Sequence, residues 1–274
     1  MDILKAIIAE RRSDVVNARR SVPVSALEDK AKNRVYRSLA ASLALPGTRI
    51  MAEVKKASPS AGQLVRNYRP GLTARAYEQA GAAAISVLTE PRHFMGDVRH
   101  LHEVRNATNL PVLRKDFICD VYQLHEAAAW GADVVLLIVA ALEKQELNGL
   151  CLAARAMGLE VLVESHSEDE LDTALALEGA IIGVNSRDLK TLTTDLAVAR
   201  RLAERIPRDR IAVAESGIKT RQDIVDLQAA GYRGFLVGET LLRSSDPAAA
   251  LRTLLGGTGG VQSEVSSPGK KMIY

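Results

Sequence analysis

Charged side chains stand where a short apolar run of the sequence ends. In the run IMAEVKK, Glu53 and Lys55 share a face with Met51, because successive side chains of a strand point to opposite faces. Burying an unpaired carboxylate or ammonium group costs several kcal/mol, so a Glu and a Lys two residues apart indicate groups that compensate each other. This run by itself is equally consistent with a polar active site and with a salt bridge at a solvated rim.

The same feature recurs at the ends of four further runs. Lys115 ends the strand-like part of PVLRKDF, Glu164 that of EVLVES, Asn185 that of IIGVNSRD and Ser216 that of IAVAESG. If these runs are parallel strands of one barrel, their carboxyl ends meet at one face, and that face carries the active site of such folds. The repetition therefore favours an active site at this face, the mouth of the barrel, over salt bridges at a solvated rim. Two lysines and two glutamates held close together suit general acid and base catalysis near neutral pH.

Glycines at the ends of two runs predict a phosphate site. Gly217 follows VAES, and Gly238 and Glu239 follow GFLV and precede a short helical turn. Glycine lets the backbone approach an anion closely, and the loops after strands seven and eight commonly bind phosphate in barrels. Ser58 of KASPS could add a hydroxyl or an amide to the same anion, or it could belong to a plain Ser-Pro turn.

Apolar residues near the same strand ends are candidates for a pocket that holds an aromatic ring. Each of them is individually more often a core residue, but together, beside the charged cluster, they suit a ring clamp. They are Phe94, Phe117, Leu136 and Leu189.

Neither the cysteines nor the histidines have the spacing of a metal site. The two cysteines lie outside any CxxC pattern, which indicates free thiols in a reducing compartment. The five histidines include no pair four residues apart, so we expect no metal. His93 and His166 follow strand ends, and we interpret both as exposed loop residues. The sequence contains neither a dinucleotide fingerprint nor a P-loop.

The elements that must position these residues alternate between strands and helices. Amphipathic stretches at 71–80, 142–157, 195–206 and 221–230 are long enough for crossover helices between parallel strands. The alternation predicts an α/β fold and favours a closed (β/α)8 TIM barrel over a doubly wound open sheet. The eight predicted strands are 49–54, 83–88, 111–113, 133–139, 160–163, 180–184, 211–214 and 234–237.

Segments before and after this repeat set the expected domain boundaries. Residues 1–45 are predicted to be helical, with Ile3, Leu4 and Ile7 on one apolar stripe and Val35 and Leu39 on another. This extension could cap the bottom of the barrel or lean over its mouth. We expect residues 1–255 to form a single domain and the Gly- and Ser-rich residues 256–274 to be a flexible tail.

Composition limits the class of partner and the compartment. The 274 residues are 47% hydrophobic, which is enough for one large core of barrel size. The 36 basic and 33 acidic residues leave a thinly spread charge of +3, so we expect no nucleic-acid or membrane partner. The N-terminal residues contain no apolar stretch for a signal peptide or membrane span. We expect a cytoplasmic protein and favour a monomer.

Six motifs of the chain resemble blocks of one enzyme family, in the order expected for it. The motifs are IMAEVKKASPS, SVLTEPRHFMG, PVLRKDFI, GADVVLLIVA, IIGVNSRDLKT and VAESGI. They resemble the indole-3-glycerol-phosphate synthase family over about residues 3–255, and the combination of ExKxxSPS with LRKDF and VNxRDL is highly specific. The resemblance implies a (β/α)8 barrel of tryptophan biosynthesis that converts 1-(2-carboxyphenylamino)-1-deoxyribulose 5-phosphate into indole-3-glycerol phosphate, carbon dioxide and water.

The resemblance also implies a role for each matching residue. Lys115 resembles the general acid of ring closure, Glu164 the base of the dehydration, and Lys55 the residue that binds the substrate carboxylate and can protonate the departing hydroxyl. Glu53 would orient the lysines. Positioning residues would be Asn185, Arg187 and Ser216, the phosphate ligands Ser58, Gly217, Gly238 and Glu239, and the ring pocket Phe94, Phe117, Leu136 and Leu189.

Other activities remain open on the residues alone. The family reaction needs no metal, pyridoxal phosphate or thiamine, and its partner is a phosphorylated anilino-sugar. A Schiff-base aldolase-type lyase also needs a lysine near a phosphate site. A phosphoribosyl isomerase needs an acid and a base, and a non-catalytic barrel could bind a phosphosugar.

Overall fold

Eight parallel strands close into a barrel in the computed structural model, which describes residues 3–59, 62–65, 67–188 and 191–257. The first strand pairs with both the second and the eighth, so the sheet has no edge. The prediction of a (β/α)8 barrel is confirmed, and an open sheet is excluded. The strands are β1 (Arg49–Val54), β2 (Ala84–Leu88), β3 (Val112–Lys115), β4 (Val134–Ile138), β5 (Glu160–Ser165), β6 (Ile181–Asn185), β7 (Ala212–Glu215) and β8 (Gly234–Val237).

Helices follow the strands and surround the barrel. Polar side chains begin most of them by accepting a hydrogen bond from the first helical turn, as Asp120, Ser167 and Thr220 do, and this fixes where each loop ends. The helices of the described chain are α1 (Ile3–Ser21), α2 (Val24–Ala31), α3 (Leu39–Ala44), α4 (Pro70–Gln79), α5 (Arg99–Arg105), α6 (Val121–Trp130), α7 (Lys144–Ala156), α8 (Glu168–Leu175), α9 (Leu196–Ala203), α10 (Arg221–Ala230), α11 (Glu239–Leu242) and α12 (Pro247–Leu255).

Alternation along the strands separates two apolar layers. Outward residues pack against the helices, and inward residues fill the barrel beneath its mouth. The packed interior leaves only the carboxyl ends of the strands open, so polar inward side chains at those ends form the floor of a cavity. The inward layer includes Met51, Leu113, Leu162, Ile181, Val213 and Leu236.

Helix α3 closes the bottom of the barrel. The carboxylate of Glu160, at the start of β5, accepts hydrogen bonds from the amides of Leu39 and Ala40 at 2.6 and 3.1 Å. A carboxylate at a helix N-terminus is stabilised by the unpaired amides there. The hydroxyl of Ser42 donates to the carbonyl of Ala83 at 2.7 Å, which attaches the helix next to β2.

Helix α1 lies at the opposite end, beside the mouth. Its buried Arg11 forms two hydrogen bonds with Asp116, of 3.0 and 2.9 Å, and Asp116 directly follows β3. The N-terminal extension therefore takes up both of the positions that the sequence left open, with α3 below the barrel and α1 above it.

The prediction of a helical stripe through Val35 is wrong. Pro23 interrupts the extension before α2, and residues 32–38 separate α2 from α3. Val35 is 82% exposed. Arg34 holds this segment in place by donating to the carbonyls of Ala128 and Ala132, both at 2.7 Å. Contacts with the barrel therefore override the helical periodicity.

Candidate active site

A cavity of about 690 Å³ opens at the carboxyl ends of the barrel strands. Leu189, which we predicted for the ring pocket, lies outside the described residues. The other residues that we predicted for the site all line this cavity: Glu53, Lys55, Ser58, Phe94, Lys115, Phe117, Leu136, Glu164, Asn185, Arg187, Ser216, Gly217, Gly238 and Glu239.

Lys115 lies between two buried carboxylates at the floor of the cavity. Its Nζ is 3.0 Å from Oε2 of Glu164 and 2.9 Å from Oε2 of Glu215. Both glutamates are almost fully buried, and the lysine side chain is 16% exposed. Two carboxylates around one ammonium give a site that can both hold and release a proton.

Glu215 is the site residue that the sequence analysis missed. It ends β7 one residue before Ser216, which we predicted instead. The alternation rule that identified Lys115 and Glu164 also identifies Glu215, because it lies two residues after the inward-facing Val213. The sequence signal was therefore present in VAESGI.

Their surroundings shift the pKa values of Glu164 and Glu215 in opposite directions. Burial would raise the pKa of Glu164, but Lys115, His166 and Asn185 outweigh it and hold that pKa below its usual range. Burial and the charge of Glu164 raise the pKa of Glu215 to about 7, against the opposing effect of Lys115. Burial alone would lower the pKa of Lys115, but the surrounding carboxylates raise it, so the lysine stays charged near neutral pH.

Glu53 pairs with the second lysine of the site. Oε1 of Glu53 lies 2.5 Å from Nζ of Lys55. Of the two lysines that we expected Glu53 to orient, it pairs directly with Lys55, whereas the ion pairs of Lys115 go to Glu164 and Glu215.

Two glycines make room for these carboxylates. A Cβ atom at Gly238 would lie 2.1 Å from Oε1 of Glu53, and a Cβ at Gly183 would lie 2.5 Å from Oε1 of Glu215. Real Cβ atoms do not approach oxygen so closely, so any larger residue would displace the glutamates. Gly238 therefore makes room for the carboxylate of Glu53 at the floor of the cavity, in addition to its predicted place in the phosphate loop.

The predicted phosphate residues line one side of the cavity together with Ser216, which we predicted as a positioning residue. Ser216 and Gly217 have left-handed backbone angles, with φ of 64° and 81°. Such strain in a non-glycine residue occurs mainly at functional sites. The carboxylate of Glu239 pairs with Arg187 at 3.2 Å and with Arg243 at 2.9 Å, so its negative charge is balanced.

The loops after β1 and β6 complete this side. Ser58 lies in a two-stranded hairpin, Ala57–Ser58 with Gly62–Gln63, and lines the cavity. Oδ1 of Asn185 accepts a hydrogen bond from the amide of Arg187 at 3.0 Å. Arg187 also forms a β-bridge with Thr194, which fixes the direction of its side chain toward Glu239.

An apolar wall faces the charged floor. The rings of Phe94 and Phe117 lie 6.1 Å apart at 37°, and Leu136 adds to the same surface. Glu90 accepts hydrogen bonds from the amides of His93 and Phe94 at 2.7 and 2.9 Å, which holds the loop that carries Phe94. This wall is suited to an aromatic ring.

His166 is not the exposed loop residue that we expected. Its side chain is 13% exposed, and its Nε2 lies 3.3 Å from Oε1 of Glu164. His93 is more open, with its side chain 27% exposed, and pairs with Glu10 of α1 at 2.9 Å. The interpretation failed at His166 because the ring is held between Glu164 at the end of β5 and Glu170 in α8.

Neither a metal cluster nor a membrane helix is found in the described chain. Among the described residues, no group of three or more His, Cys, Asp or Glu side chains could hold a metal ion. No helix in this part of the chain is long and apolar enough to cross a membrane.

The fold and the cavity define a class of protein. A closed (β/α)8 barrel whose strand ends bring lysines, glutamates and an amide together, opposite a loop pair suited to phosphate, is the architecture of a barrel enzyme of acid-base chemistry. The family model described as indole-3-glycerol phosphate synthase matches residues 4–254. The chain belongs to the indole-3-glycerol phosphate synthase family, which consists of carboxy-lyases.

Curated relatives cover nearly the whole chain. An indole-3-glycerol phosphate synthase of Chromobacterium violaceum is 45% identical over 258 residues, which are 92% of this chain and 97% of the relative. Proteins of the same name from Burkholderia vietnamiensis and Burkholderia ambifaria are also 45% identical, over 254 and 250 residues. These cover 91% and 90% of this chain, and 97% and 96% of the relatives.

Proposed function

We propose that this protein closes, decarboxylates and dehydrates 1-(2-carboxyphenylamino)-1-deoxyribulose 5-phosphate to indole-3-glycerol phosphate. The observation that carries the proposal is Lys115, held charged between Glu164 and Glu215 at the floor of a cavity with an apolar wall on one side and the glycine loops on the other. The family to which the chain belongs is named for the synthesis of this product, indole-3-glycerol phosphate.

Ring closure needs an acid at the ketone oxygen of the substrate. In the proposed step, the ring carbon that bears the carboxylate attacks the ketone carbon while Lys115 gives a proton to the ketone oxygen. A new C–C bond forms, and the oxygen becomes a hydroxyl group. Because Glu215 has a raised pKa, it can hold a proton near neutral pH and return it to Lys115.

Loss of carbon dioxide follows from the cyclisation itself. The attack removes the aromaticity of the benzene ring, and breaking the bond to the carboxylate restores it. We assign Lys55 to the substrate carboxylate and Glu53 to holding that lysine, on the basis of their 2.5 Å contact. Once carbon dioxide has left, the ammonium of Lys55 can protonate the hydroxyl group, which departs as water.

Dehydration also needs a base, which we assign to Glu164. Its pKa is held low by Lys115 and His166 against the effect of burial, so it is ionised and can accept the proton that leaves the five-membered ring. Asn185, Arg187 and Ser216 are assigned to positioning the substrate. The phosphate is assigned to Ser58 and to the backbone at Gly217, Gly238 and Glu239, and the ring to Phe94, Phe117 and Leu136.

A Schiff-base mechanism is disfavoured by the same geometry. A lysine that forms an imine must be neutral when it attacks, and the carboxylates around Lys115 raise its pKa instead of lowering it. Borohydride treatment in the presence of substrate should therefore leave the mass of the protein unchanged. A trapped adduct on Lys115 or Lys55 would favour the aldolase-type alternative.

The test of the function is to supply the anilino-deoxyribulose phosphate and follow indole absorbance and carbon dioxide release. Lys115→Ala should remove about 3–4 kcal/mol of transition-state stabilisation, roughly a hundredfold to a thousandfold in kcat/KM, because proton donation and charge are both lost. The matched control is Lys144→Ala, an exposed lysine at the start of α7, which should keep wild-type activity. A wild-type protein that releases neither product would overturn the proposal.

We further propose that residues 1–255 act as one domain, as a monomer in the cytoplasm, without a nucleic-acid partner. The thinly spread charge of +3 and the two free, buried cysteines support this setting. Light scattering of the purified protein should give the mass of one chain. A dimer mass would contradict the monomer.

A further inference from the structure

His166 lies directly behind Glu164, between two carboxylates. Its Nε2 is 3.3 Å from Oε1 of Glu164, and its Nδ1 is 3.0 Å from Oε2 of Glu170 in α8. The same oxygen of Glu170 accepts a hydrogen bond from the His166 backbone amide at 2.8 Å. Glu170 therefore holds both the backbone and the ring of His166. If the ring turned away from Glu164, its contacts with Glu164 and with Glu170 would both be lost.

This placement favours a charged imidazole, because the buried Nε2 faces the Glu164 carboxylate at 3.3 Å without a hydrogen bond among the described residues. A neutral ring has one N–H donor and one lone pair, so one of its nitrogens would present a lone pair to a carboxylate. Only the doubly protonated ring can donate toward both Glu164 and Glu170. Burial would lower the pKa of His166, but its contacts with these two carboxylates raise it to about 10.

The positive charge that competes with the ring for Glu164 is Lys115, whose Nζ lies 3.0 Å from the other oxygen of that carboxylate. The elements that pack most extensively against α8 are β5, β6 and the turn Val139–Ala141. Arg201 of α9 and Arg205 also reach α8, where they pair with Glu168 and Asp172. The turn consists of VAA and β6 of IIGVN, so neither carries a charged side chain. Among the described residues, the ion pairs of His166 are those with Glu164 and Glu170.

The two floor carboxylates consequently differ in their partners. Glu164 has Lys115 on Oε2 and His166 facing Oε1, whereas Glu215 shares only Lys115. Oε1 of Glu215 is buried and has no hydrogen-bond partner among the described residues. One lysine between two similar acids does not decide which of them is ionised, and His166, together with the hydrogen bond from Asn185 to Glu164, supplies the difference.

We propose that His166 is a positioning residue that selects Glu164 over Glu215 as the ionised base of the site. Glu170 serves as its anchor. The proposal rests on the proposed function, in which Glu164 accepts the proton of the dehydration. The histidine does not touch the substrate in this scheme, and it acts through the charge and direction of the Glu164 carboxylate.

His166→Asn tests the selection through the pH profile of kcat/KM. The variant keeps a hydrogen-bond donor but loses the charge, so Glu164 becomes protonated at a higher pH. The acid limb of the profile should move upward by about 1–3 pH units, because one opposite charge at this distance has an effect of that size. Activity should fall below that of the wild type on the acid side of the profile and recover as the pH rises through the shifted limb.

Two further variants separate this role from a structural one. Glu170→Gln keeps the ring and an acceptor oxygen but removes the second carboxylate charge that favours the protonated ring. It should therefore shift the acid limb in the same direction by a smaller amount, and the double variant should shift it no further than His166→Asn alone. His125→Asn is the matched control, since His125 pairs at 3.6 Å with the exposed Glu28 on the outer surface and should leave the profile unchanged. A uniform loss of activity at all pH values, with the limb unmoved, would overturn the proposal.

The charge of the ring is measured independently of turnover. With five histidines in the chain, the imidazole signals can be assigned in NMR spectra by comparison with His166→Asn. The His166 ring should stay doubly protonated above about pH 8, and titration near the ordinary histidine value of about 6.5 would refute the proposal. A wild-type protein without turnover overturns the proposed function, whereas normal turnover with an early-titrating His166 overturns only this inference.

Discussion

At the scale of single residues, the site depends on pairing each charge with a specific partner. Lys115 bridges two glutamates, and Lys55 has Glu53. A buried charge is tolerated only when it is compensated, so removing one partner alters the protonation of the others. Gly238, which follows β8, belongs to this arrangement although it carries no side chain, because it leaves the space that Glu53 occupies.

Gly238→Ala should displace Glu53, because the added Cβ would lie 2.1 Å from Oε1 of Glu53. We expect kcat/KM to fall by about a hundredfold, since a misplacement of about 1 Å lowers the rate of a positioned site by about that factor. Steady-state kinetics measure the effect. The matched control is Gly149→Ala, within the exposed face of α7, where a Cβ meets nothing within 4 Å. The control should keep its activity and gain about 0.5–1 kcal/mol of stability. Equal activity of both variants would contradict this account of Gly238.

At the scale of elements, α1 is attached to the mouth by a buried network. Asp116 accepts two hydrogen bonds from Arg11 and two from Arg114, of 2.9 and 3.3 Å, and the hydroxyl of Thr89 donates to it at 2.7 Å. Because Asp116 lies between Lys115 and Phe117 in the chain, fixing Asp116 also fixes the backbone that carries the proposed acid and one wall of the ring pocket.

Arg11→Met should release α1 and destabilise the protein by about 2–3 kcal/mol, somewhat less than the loss of a whole buried pair because Arg114 still neutralises Asp116. Urea unfolding gives the free energy, and limited proteolysis should cut within α1 faster than in the wild type. Arg12→Met is the control, because Arg12 pairs with Glu146 at the surface, where both side chains are more than 40% exposed. That change should cost less than about 0.5 kcal/mol. If the two substitutions are equally mild, Arg11 does not anchor the helix.

At the scale of the whole molecule, the two ends of the barrel have different tasks. The bottom is held by Asp133, which is fully buried and accepts hydrogen bonds from Arg34 at 2.9 Å, Arg105 at 2.8 Å and the amide of Val112 at 2.9 Å. The top holds the cavity. A barrel can separate stability from activity in this way because its packed interior isolates the two faces.

Asp133→Asn should lower the free energy of unfolding by about 3 kcal/mol or more, because two arginines that are largely buried lose their shared carboxylate. The folded fraction should keep wild-type kcat/KM. Chemical denaturation combined with kinetics under strongly folding conditions measures both quantities. A tenfold loss of kcat/KM with unchanged stability would show that the two faces are coupled.

Most of the barrel could be predicted from local sequence, because strand and helix periods are local properties of the chain. Strand β1 and helix α10 have the predicted bounds, and the phase of Lys115 and Glu164 within their strands predicted which side chains face the cavity. Val35 was misjudged because a tertiary contact at Arg34 decides the conformation there. Glu215 was overlooked although the alternation of β7 contained it.

The sequence by itself determined which residues could do the chemistry, since residue type and strand phase are written in the order of the amino acids. Only the tertiary structure decided which of these residues pair. Glu215 with Lys115, Glu164 with Lys115 and Gly238 with Glu53 are each contacts between separate strands or loops. Such contacts depend on the closure of the barrel, which brings residues distant in the chain within hydrogen-bond distance.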